Sequence, residues 1–273
     1  MTLATLYPDR ARSVGRQSHI QRPRPQLKDI VKNTTMEKRN IIHDGVSIKI
    51  FETDDPEKVI IHFTDDITAF NKIKKAVIKD KGLYCNGISC EISRLLQKGG
   101  VPTHFIEQIS DTEQLCWKSK VIPMEVIVRN VIAGSMAQRL GLEEGIVPKE
   151  PVYDLCYKSD ILCDPIINDY HAVALGLVSK EELERIYSLT KQVNRILTPV
   201  FKEIGITLVD FKIEFGHLSD GRLVMSDDIT PDSARFWDIA TGDRLDKDRF
   251  RKDYGHVGDA YKTVFERLTG MKS

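Results

Sequence analysis

The chain has 273 residues, of which 41% are hydrophobic and 29% are charged, and its formal net charge is zero. This composition excludes a disordered chain, and no apolar run approaches the roughly 18 residues that a membrane helix requires. Five cysteines without CxxC spacing or clustered histidines favour reduced thiols over a zinc site or a disulfide scaffold.

The segment 1–40 carries Arg and Pro residues but little apolar periodicity. Its basic residues partly resemble a transit peptide, but the Arg-Pro-Arg-Pro run at 22–25 would break an amphipathic helix. We therefore expect 1–40 to be a disordered or non-native leader and ordered structure to begin near Ile41. The excess of basic residues lies in this segment, so the rest of the chain shows no basic surface for nucleic acid.

The ordered part begins with strand patterns. Residues 46–53 and 58–65 predict two antiparallel strands around a turn at 54–57. Residues 86–98 show apolar residues at helical spacing and end at two glycines, which predicts a helix. Residues 121–131 return to a strand pattern.

The longest periodic segment, 180–203, predicts an amphipathic helix. Ser179 and Glu182 form the pattern of a capping box at its start, Pro199 predicts a kink, and Gly205 predicts its end. A last helix is predicted at about 257–268. A small β-rich lobe followed by a larger α+β lobe, with a cleft between them, accounts for this order of elements.

The most informative segments are 208–216 and 223–228, which read as a hairpin around a turn at 219–221. Because side chains alternate along a strand, Asp210, Lys212 and Glu214 share one face. Asp227 and Asp228 end the returning strand and can lie opposite that face. Carboxylates suit Mg²⁺ and a neighbouring lysine suits phosphate, although a half-solvated edge hairpin is also consistent with the pattern.

Two charges interrupt the apolar strand at 121–131, namely Glu125 and Arg129. A buried strand rarely tolerates charges without partners. Arg129 offers a planar fork for a carboxylate or phosphate, and the amides near Gly134 and Ser135 open a short helix that suits an anion. A core Arg–Glu pair with an N-cap serine is the alternative.

Two further segments are dense in charge. The turn at 226–238 carries Asp232 and Arg235 as candidate site residues, with a solvated loop as the alternative. The segment 245–252 reads as a basic helix start in which Lys247, Arg249 and Arg251 can meet a phosphate or dicarboxylate. Residues 64–71 and 164–168 are predicted to be structured loops.

Taken in order, these motifs resemble the family of phosphoribosylaminoimidazole-succinocarboxamide synthases, or SAICAR synthetases, of purine biosynthesis. The resemblance spans about 42–268. It is carried by the following blocks: 63–71 (Phe-Thr-Asp-Asp-Ile-Thr-Ala-Phe-Asn), 100–104 (Gly-Val-Pro-Thr-His), 122–135, 139–145, 164–168, 208–216 and 245–251.

The resemblance implies a two-lobed α+β fold similar to protein kinases and ATP-grasp enzymes, with a small antiparallel lobe at 41–122, a larger lobe at 123–273 and ATP between them. It also implies that ATP phosphorylates the carboxylate of carboxyaminoimidazole ribotide (CAIR) and that the amine of L-aspartate captures the acyl phosphate. An unactivated carboxylate is a poor acyl donor, so ATP and a metal must supply the leaving group mainly by positioning and charge neutralisation.

The resemblance also implies binding and catalytic roles for individual residues. It implies Glu214 and Asp227 as Mg²⁺ ligands, Lys212 as a phosphate contact, and Glu125 with the backbone near Met124 as the adenine hinge. The resemblance further implies that the ribotide or aspartate is bound by Arg129, Ser135, Asp232 and Arg235, with Lys247, Arg249 and Arg251 completing the anionic pocket. Lys212, Asp232 and Arg235 are the catalytic candidates.

The chain departs from the family pattern at three places. Family members usually carry Gly-Lys-x-Lys on the first hairpin, where this chain has Gly-Val-Ser-Ile at 45–48 and keeps only Lys49. It also has Cys85 where Asn is usual, and Asp228 where Glu is usual. Each charged hydrogen bond lost from a phosphate site costs about 1.5–3 kcal/mol, so ATP binding would weaken unless Lys49, Lys72 or Lys74 compensates.

Three functions follow from these observations. The first is the purine ligase, with ATP, Mg²⁺, CAIR and L-aspartate as its small-molecule partners. The second is a paralogous ATP-dependent ligase with a different carboxylate or amine, and the third is a ribotide- or nucleotide-binding protein without turnover. A cytoplasmic location and neither nucleic acid nor membrane as partner are expected, and a homo-oligomer is left open.

Overall fold

The computed structural model describes residues 36–70 and 72–270. Most of the predicted leader and Asn71 therefore lie outside the described residues. The described chain belongs to one compact unit. Its first strand begins at Lys38, a few residues before the predicted start near Ile41.

The strands are antiparallel wherever two of them pair, which gives the α+β class that the sequence predicts. Over the described residues they are β1 (Lys38–Asp44), β2 (Ile48–Thr53), β3 (Lys58–Phe63), β4 (Asp66–Ala69), β5 (Lys74–Val77), β6 (Phe105–Gln108), β7 (Glu113–Trp117), β8 (Lys120–Arg129), β9 (Val152–Tyr157), β10 (Ile166–Ile167), β11 (Ile206–His217), β12 (Leu223–Met225) and β13 (Ala234–Asp238).

Two main sheets organise these strands. The first has the order β1-β2-β3-β7-β6, and the second has the order β10-β9-β8-β11-β12, with β13 also pairing with β11. Strands β4 and β5 form a separate hairpin where the sequence predicted a loop, and β10 falls within the other predicted loop. Both of those predictions were wrong because β4 and β10 are only four and two residues long, too short to show a clear two-residue period in the sequence.

The helices lie between or after the strands. Those in the described part of the chain are α1 (Lys81–Lys98), α2 (Gly134–Leu140), α3 (Asp169–Ala174), α4 (Lys180–Glu203), α5 (Asp248–Arg251) and α6 (Val257–Thr269). Helix α4 has the predicted bounds and continues through Pro199. The Ser179 hydroxyl accepts a hydrogen bond from the amide of Glu182, which supplies one half of the predicted capping box.

Helix α1 begins at Lys81, five residues before the predicted start. The reason is a cap from outside the helix. The carboxylate of Asp65, which follows β3, accepts hydrogen bonds from the amides of Asp80 and Gly82 at 3.2 and 2.9 Å. An acidic group there also suits the positive end of the helix.

A single large apolar cluster connects the helices with both main sheets. Phe201 of α4 and Phe211, Phe215 and Phe236 of the second sheet are almost completely buried in it. Ile206 and Leu208 also lie in this core, and after the register shift near residue 209 the odd-numbered side chains anchor β11 while Asp210, Lys212 and Glu214 are left to form the site. Over the described residues, no helix is long and apolar enough to span a membrane.

Candidate active site

Strand β11 lies inside the second sheet, because it pairs with β8 on one side and with β12 and β13 on the other. The register places Glu214 opposite Glu125 and Lys212 opposite Ile127, so the two glutamates and the lysine share one face. Glu214 and Asp210 are only 5% and 3% exposed. The alternative of a half-solvated edge hairpin is therefore wrong.

Lys212 is the centre of a cluster of carboxylates. Its Nζ lies 2.7 Å from Glu125 Oε1, 3.0 Å from Glu214 Oε1 and 3.7 Å from Asp227 Oδ2. Burial alone would lower the pKa of Lys212, but the three carboxylates raise it well above its ordinary value. The ammonium is therefore charged in the folded protein.

The pKa values of Glu214 and Asp227, two acidic residues of this cluster, are shifted in opposite directions. Burial opposes ionisation of Glu214, but Lys212 and Lys158 lower its pKa, and Lys158 Nζ donates a hydrogen bond to Glu214 Oε1. Burial raises the pKa of Asp227 well above its usual range. A cation that enters beside Asp227 would favour its ionised form.

The residues present fit a magnesium ion that is shared with a ligand. The Oδ2 atom of Asp227 is buried and accepts no hydrogen bond. In the described part of the chain, no three His, Cys, Asp or Glu side chains are grouped to hold a metal by themselves. Mg²⁺ commonly uses only one or two carboxylates together with phosphates and water, and Glu214 and Asp227 match that need.

A basic cavity of about 190 Å³ lies on the same face of the sheet. Six of its lining residues are among the predicted site residues: Arg129, Ser135, Lys212, Asp232, Arg235 and Arg251.

Buried carboxylates hold the guanidinium groups of this cavity in place. Arg235 donates from Nη1 to Asp210 and from Nε to Asp248, both at 2.8 Å. Arg129 donates from Nε to Asp154 at 2.8 Å and from Nη2 to the Ser135 hydroxyl at 3.2 Å. Both arginines are therefore fixed before any ligand binds.

The alternative of a core Arg129–Glu125 pair is wrong, because Glu125 pairs with Lys212 and Arg129 pairs with Asp154. Ser135 is not an N-cap either. The N-cap of α2 is Ala133, which makes no side-chain hydrogen bond, and the Ser135 hydroxyl accepts from Arg129 instead.

A second cavity, of about 270 Å³, adjoins the basic one and shares Lys212 and Asp232 with it. Its other lining residues include Ile48, Asp227 and Lys247. It therefore lies between the carboxylate cluster and the basic cavity.

A third cavity, of about 150 Å³, is mainly apolar and shares Ile48 and Asp227 with the second. Its lining residues are Ile42, Ile48, Ile50, Val59, Ile61, Phe63, His104, Gln114, Trp117, Lys118, Ser119, Val121, Ser226, Asp227 and Asp228. The three cavities adjoin one another in series, and we call the series the trough: it is apolar at one end, acidic in the middle and basic at the other end.

The predicted adenine hinge at Met124 and Glu125 does not agree with this geometry. Met124 is 2% exposed in the core, and Glu125 is turned toward Lys212. The segment between β7 and β8, including Lys118 and Ser119, lines the apolar cavity in their place. The hinge at Met124 and Glu125 stays a prediction, and the lining of the apolar cavity favours the segment between β7 and β8 instead.

Two predicted cations lie away from the trough. Lys49 pairs with Asp44 at 2.9 Å and points to the opposite face of β2 from Ile48, which lines the cavities. Arg249 donates to the backbone carbonyls of Arg244, Tyr254 and Gly255. Neither is placed to contact a ligand there.

The suggested substitutes for the absent lysines also differ in position. Lys74 donates to Asp253 and to the carbonyl of Phe250, both at 2.6 Å, so it is not available to the trough. Lys72 lines a further cavity of about 580 Å³, which shares Lys247 and Arg251 with the other cavities.

Sequence reasoning missed two lysines of the site. Lys158 directly follows β9 and contacts Glu214. Lys81 is the first residue of α1 and contacts Asp232. An isolated lysine at the edge of an apolar segment was the available signal, but it is too common to identify a site.

The comparisons with known proteins cover most of the chain. Residues 41–268 match the family of SAICAR synthetases. A phosphoribosylaminoimidazole-succinocarboxamide synthase from Clostridium beijerinckii is 53% identical over 234 residues, which are 86% of this chain and 100% of that protein.

Solved structures agree with the sequence comparison. A phosphoribosylaminoimidazole-succinocarboxamide synthase from Ehrlichia chaffeensis has a TM-score of 0.83 and 40% identity, covering 86% of this chain and 100% of that one. A SAICAR synthetase in complex with ADP has a TM-score of 0.82 and 44% identity, covering 86% of this chain and 99% of that one. The α+β fold similar to SAICAR synthetases that the resemblance implies is confirmed.

Proposed function

Because the chain belongs to the SAICAR synthetase family, we propose that it joins L-aspartate to CAIR at the expense of ATP, giving SAICAR, ADP and phosphate. It is an ATP-dependent carbon–nitrogen ligase of purine biosynthesis. The observation that carries the assignment of its site is the position of Lys212, which lines both the basic cavity and the carboxylate-bearing cavity. A phosphate held at Lys212 is therefore next to an anion held by the arginines.

The reaction consists of two displacements. A carboxylate oxygen of CAIR attacks the γ-phosphorus of ATP, and the bond from that phosphorus to ADP breaks. The amine of aspartate then attacks the acyl carbon, the carbon–oxygen bond to phosphate breaks, and the nitrogen loses a proton. Holding both anions in one trough replaces encounters in solution and contributes much of the rate.

We assign the triphosphate to the middle of the trough, where Lys212 contributes positive charge, and the adenine to the apolar cavity. Glu214 and Asp227 would hold Mg²⁺, which supplies neutralisation of phosphate charge when bound. Support for this comes from the buried Asp227 oxygen that accepts no hydrogen bond. The fixed ammonium of Lys212 is placed to stabilise charge on the transferred phosphoryl group.

The substrates' anionic groups are assigned to the basic cavity. Arg129, Arg235 and Arg251 offer planar donors to phosphate and carboxylate oxygens, and Ser135 offers a hydroxyl. Two acidic residues also line this cavity: Asp210 is held by Arg235, and Asp232 can accept from a substrate donor. Lys247 connects this cavity with the middle of the trough.

The assay of the purified full chain with ATP, Mg²⁺, CAIR and L-aspartate tests this function. ADP release that requires both CAIR and aspartate, with a succinocarboxamide product identified by mass spectrometry, is the expected result. Turnover that requires a different carboxylate or amine would support the paralogous ligase. Ligand binding without ADP release would support a binding protein.

One observation favours the paralogous ligase as the second candidate. Ile48, an apolar residue, lines the trough where the family usually presents a lysine. We expect Ile48→Lys to tighten ATP binding about tenfold, because one charged hydrogen bond to phosphate is gained. The control Lys49→Met should leave ATP affinity unchanged, since Lys49 faces away from the trough. If titration calorimetry shows that Lys49→Met weakens ATP binding and Ile48→Lys does not tighten it, the placement of Ile48 beside the nucleotide is refuted.

The lobes, the cellular location and the partners of the protein are also proposals. We propose lobes at 41–122 and 123–273, with the nucleotide between them, and a cytoplasmic location, since ATP, CAIR and aspartate are water-soluble metabolites. Small molecules are the proposed partners, and a homo-oligomer can be tested by light scattering of the purified chain.

A further inference from the structure

Lys81 is a lysine without any solvent contact, its side chain being 0% exposed. An ammonium group is rarely buried in this way because it loses its hydration, and it is tolerated only with a charged partner. The Nζ of Lys81 lies 2.7 Å from Oδ2 of Asp232. The lysine thus holds one oxygen of a carboxylate in the active site.

The other oxygen of Asp232 is held from a second helix. The hydroxyl of Tyr261, which is also fully buried, donates to Oδ1 of Asp232 at 2.8 Å. Lys247 Nζ lies 3.8 Å from the same oxygen. Residues of α1 and α6 therefore fix the orientation of this carboxylate from the protein interior.

The backbone that carries Lys81 is fixed too. Asp65 caps the start of α1 through the amide of Gly82. A Cβ at Gly82 would lie 2.5 Å from the carbonyl oxygen of Phe63, so the helix start packs closely against the end of β3. The ammonium of Lys81 can therefore keep its place when ligands enter the trough.

The carboxylate of Asp232 lines both the basic cavity and the middle cavity, whereas Lys81 and Tyr261 line neither. Burial would raise the pKa of Asp232, but Lys81, Lys247 and the hydroxyl of Tyr261 lower it to about 2. At neutral pH this carboxylate is ionised, so it is a weak base that can accept a charge-assisted hydrogen bond.

We propose that Lys81 and Tyr261 are positioning residues that hold Asp232 as a fixed acceptor for a hydrogen-bond donor of one acyl-transfer substrate. The donor is either a ribose hydroxyl of the ribotide or the ammonium of aspartate. This inference rests on the proposed function for the identity of the substrates. The contacts of Lys81 and Tyr261 with Asp232 do not depend on the proposed function.

The experiment compares Lys81→Met and Tyr261→Phe with a matched control, Tyr187→Phe. Tyr187 also donates its hydroxyl to a carboxylate, Asp169, at 2.7 Å, but it lies on α4 outside the trough. KM for ATP, CAIR and aspartate is measured separately for each variant. Circular dichroism verifies that each variant is folded.

We expect KM for one acyl-transfer substrate to rise about 3- to 10-fold in Tyr261→Phe and about 100-fold in Lys81→Met. KM for ATP should stay within about twofold, and the control should match the wild type. A rise confined to CAIR identifies the ribose hydroxyl as the donor, and a rise confined to aspartate identifies the ammonium.

The proposal is overturned if neither variant changes a KM, or if KM for ATP rises as much as the others, because a purely structural role would give those results. Should Lys81→Met fail to fold, Tyr261→Phe decides by the same criteria. If the wild type shows no turnover, the proposed function fails, and calorimetric affinities of the same variants for CAIR and aspartate still test the positioning role.

Discussion

Arg235 is the residue whose removal should damage the fold most directly, because two buried carboxylates depend on it. Asp210 and Asp248, which are 3% and 2% exposed, accept its hydrogen bonds at 2.8 Å. The change Arg235→Met keeps much of the apolar stem and removes the charge. Arg129, 3.5 Å from Asp210, then becomes the nearest remaining cation to that carboxylate.

Breaking a buried ion pair by removing one partner costs about 3–5 kcal/mol, since an unpaired charge stays buried. The loss should also depend on pH. Burial already raises the pKa of Asp210, and Arg235 opposes that rise, so the variant raises the pKa further. A carboxyl group whose pKa is raised in the folded state is destabilising above its unfolded pKa, so the loss should grow from pH 5 to pH 8.

Urea unfolding at both pH values measures this, with Arg222→Met as the control. Arg222 forms an ion pair with Asp220 on the surface, its side chain being 67% exposed, so its removal should leave the unfolding free energy unchanged. If Arg235→Met costs no more than Arg222→Met, or costs the same at pH 5 and pH 8, the role assigned to the buried pair is refuted.

Changes at His104, Gly134 and Glu214 should affect acid stability, melting temperature and the Mg²⁺ requirement, respectively. Burial lowers the pKa of His104 to about 4, so stability should fall by about 3 kcal/mol as the pH drops from 6.5 to 4, and His104→Gln should reduce that loss in urea titrations. A Cβ at Gly134 would lie 2.3 Å from Arg235 Nη2, so Gly134→Ala should lower the melting temperature more than Gly141→Ala, which has a similar positive φ but open space; equal shifts would contradict the close contact. Glu214→Gln should raise the Mg²⁺ concentration needed for half-maximal turnover at least about tenfold while the fold is retained, and a near-normal Mg²⁺ titration would remove Glu214 as a ligand.

The alternation of β11 was readable from sequence because a strand's period of two needs no tertiary information. It placed Lys212 and Glu214 on one face, as the register shows. Helix α4 was predicted with its bounds because both its apolar spacing and its N-cap lie in one local segment. Local signals thus gave the scaffold of the site.

Positions that depend on distant partners were not readable. The start of α1 is set by Asp65, and the partner of Glu125 is set by the pairing of β8 with β11. Lys81 has a partner 151 residues away in sequence. No periodicity within α1 contains that information, so the buried lysine could be recognised only in the folded chain.

The glutamates that face each other across β8 and β11 would repel one another without the ammonium of Lys212 beside them. A slip of β11 by two residues that moved Glu214 opposite Ile127 would place Lys212 opposite Arg129, so two like charges would face each other in the sheet. Mispaired chains are therefore disfavoured by the same charges that prepare the enzyme for its nucleotide. The correct alignment of β11 with β8 and the charge arrangement of the site therefore depend on the same residues.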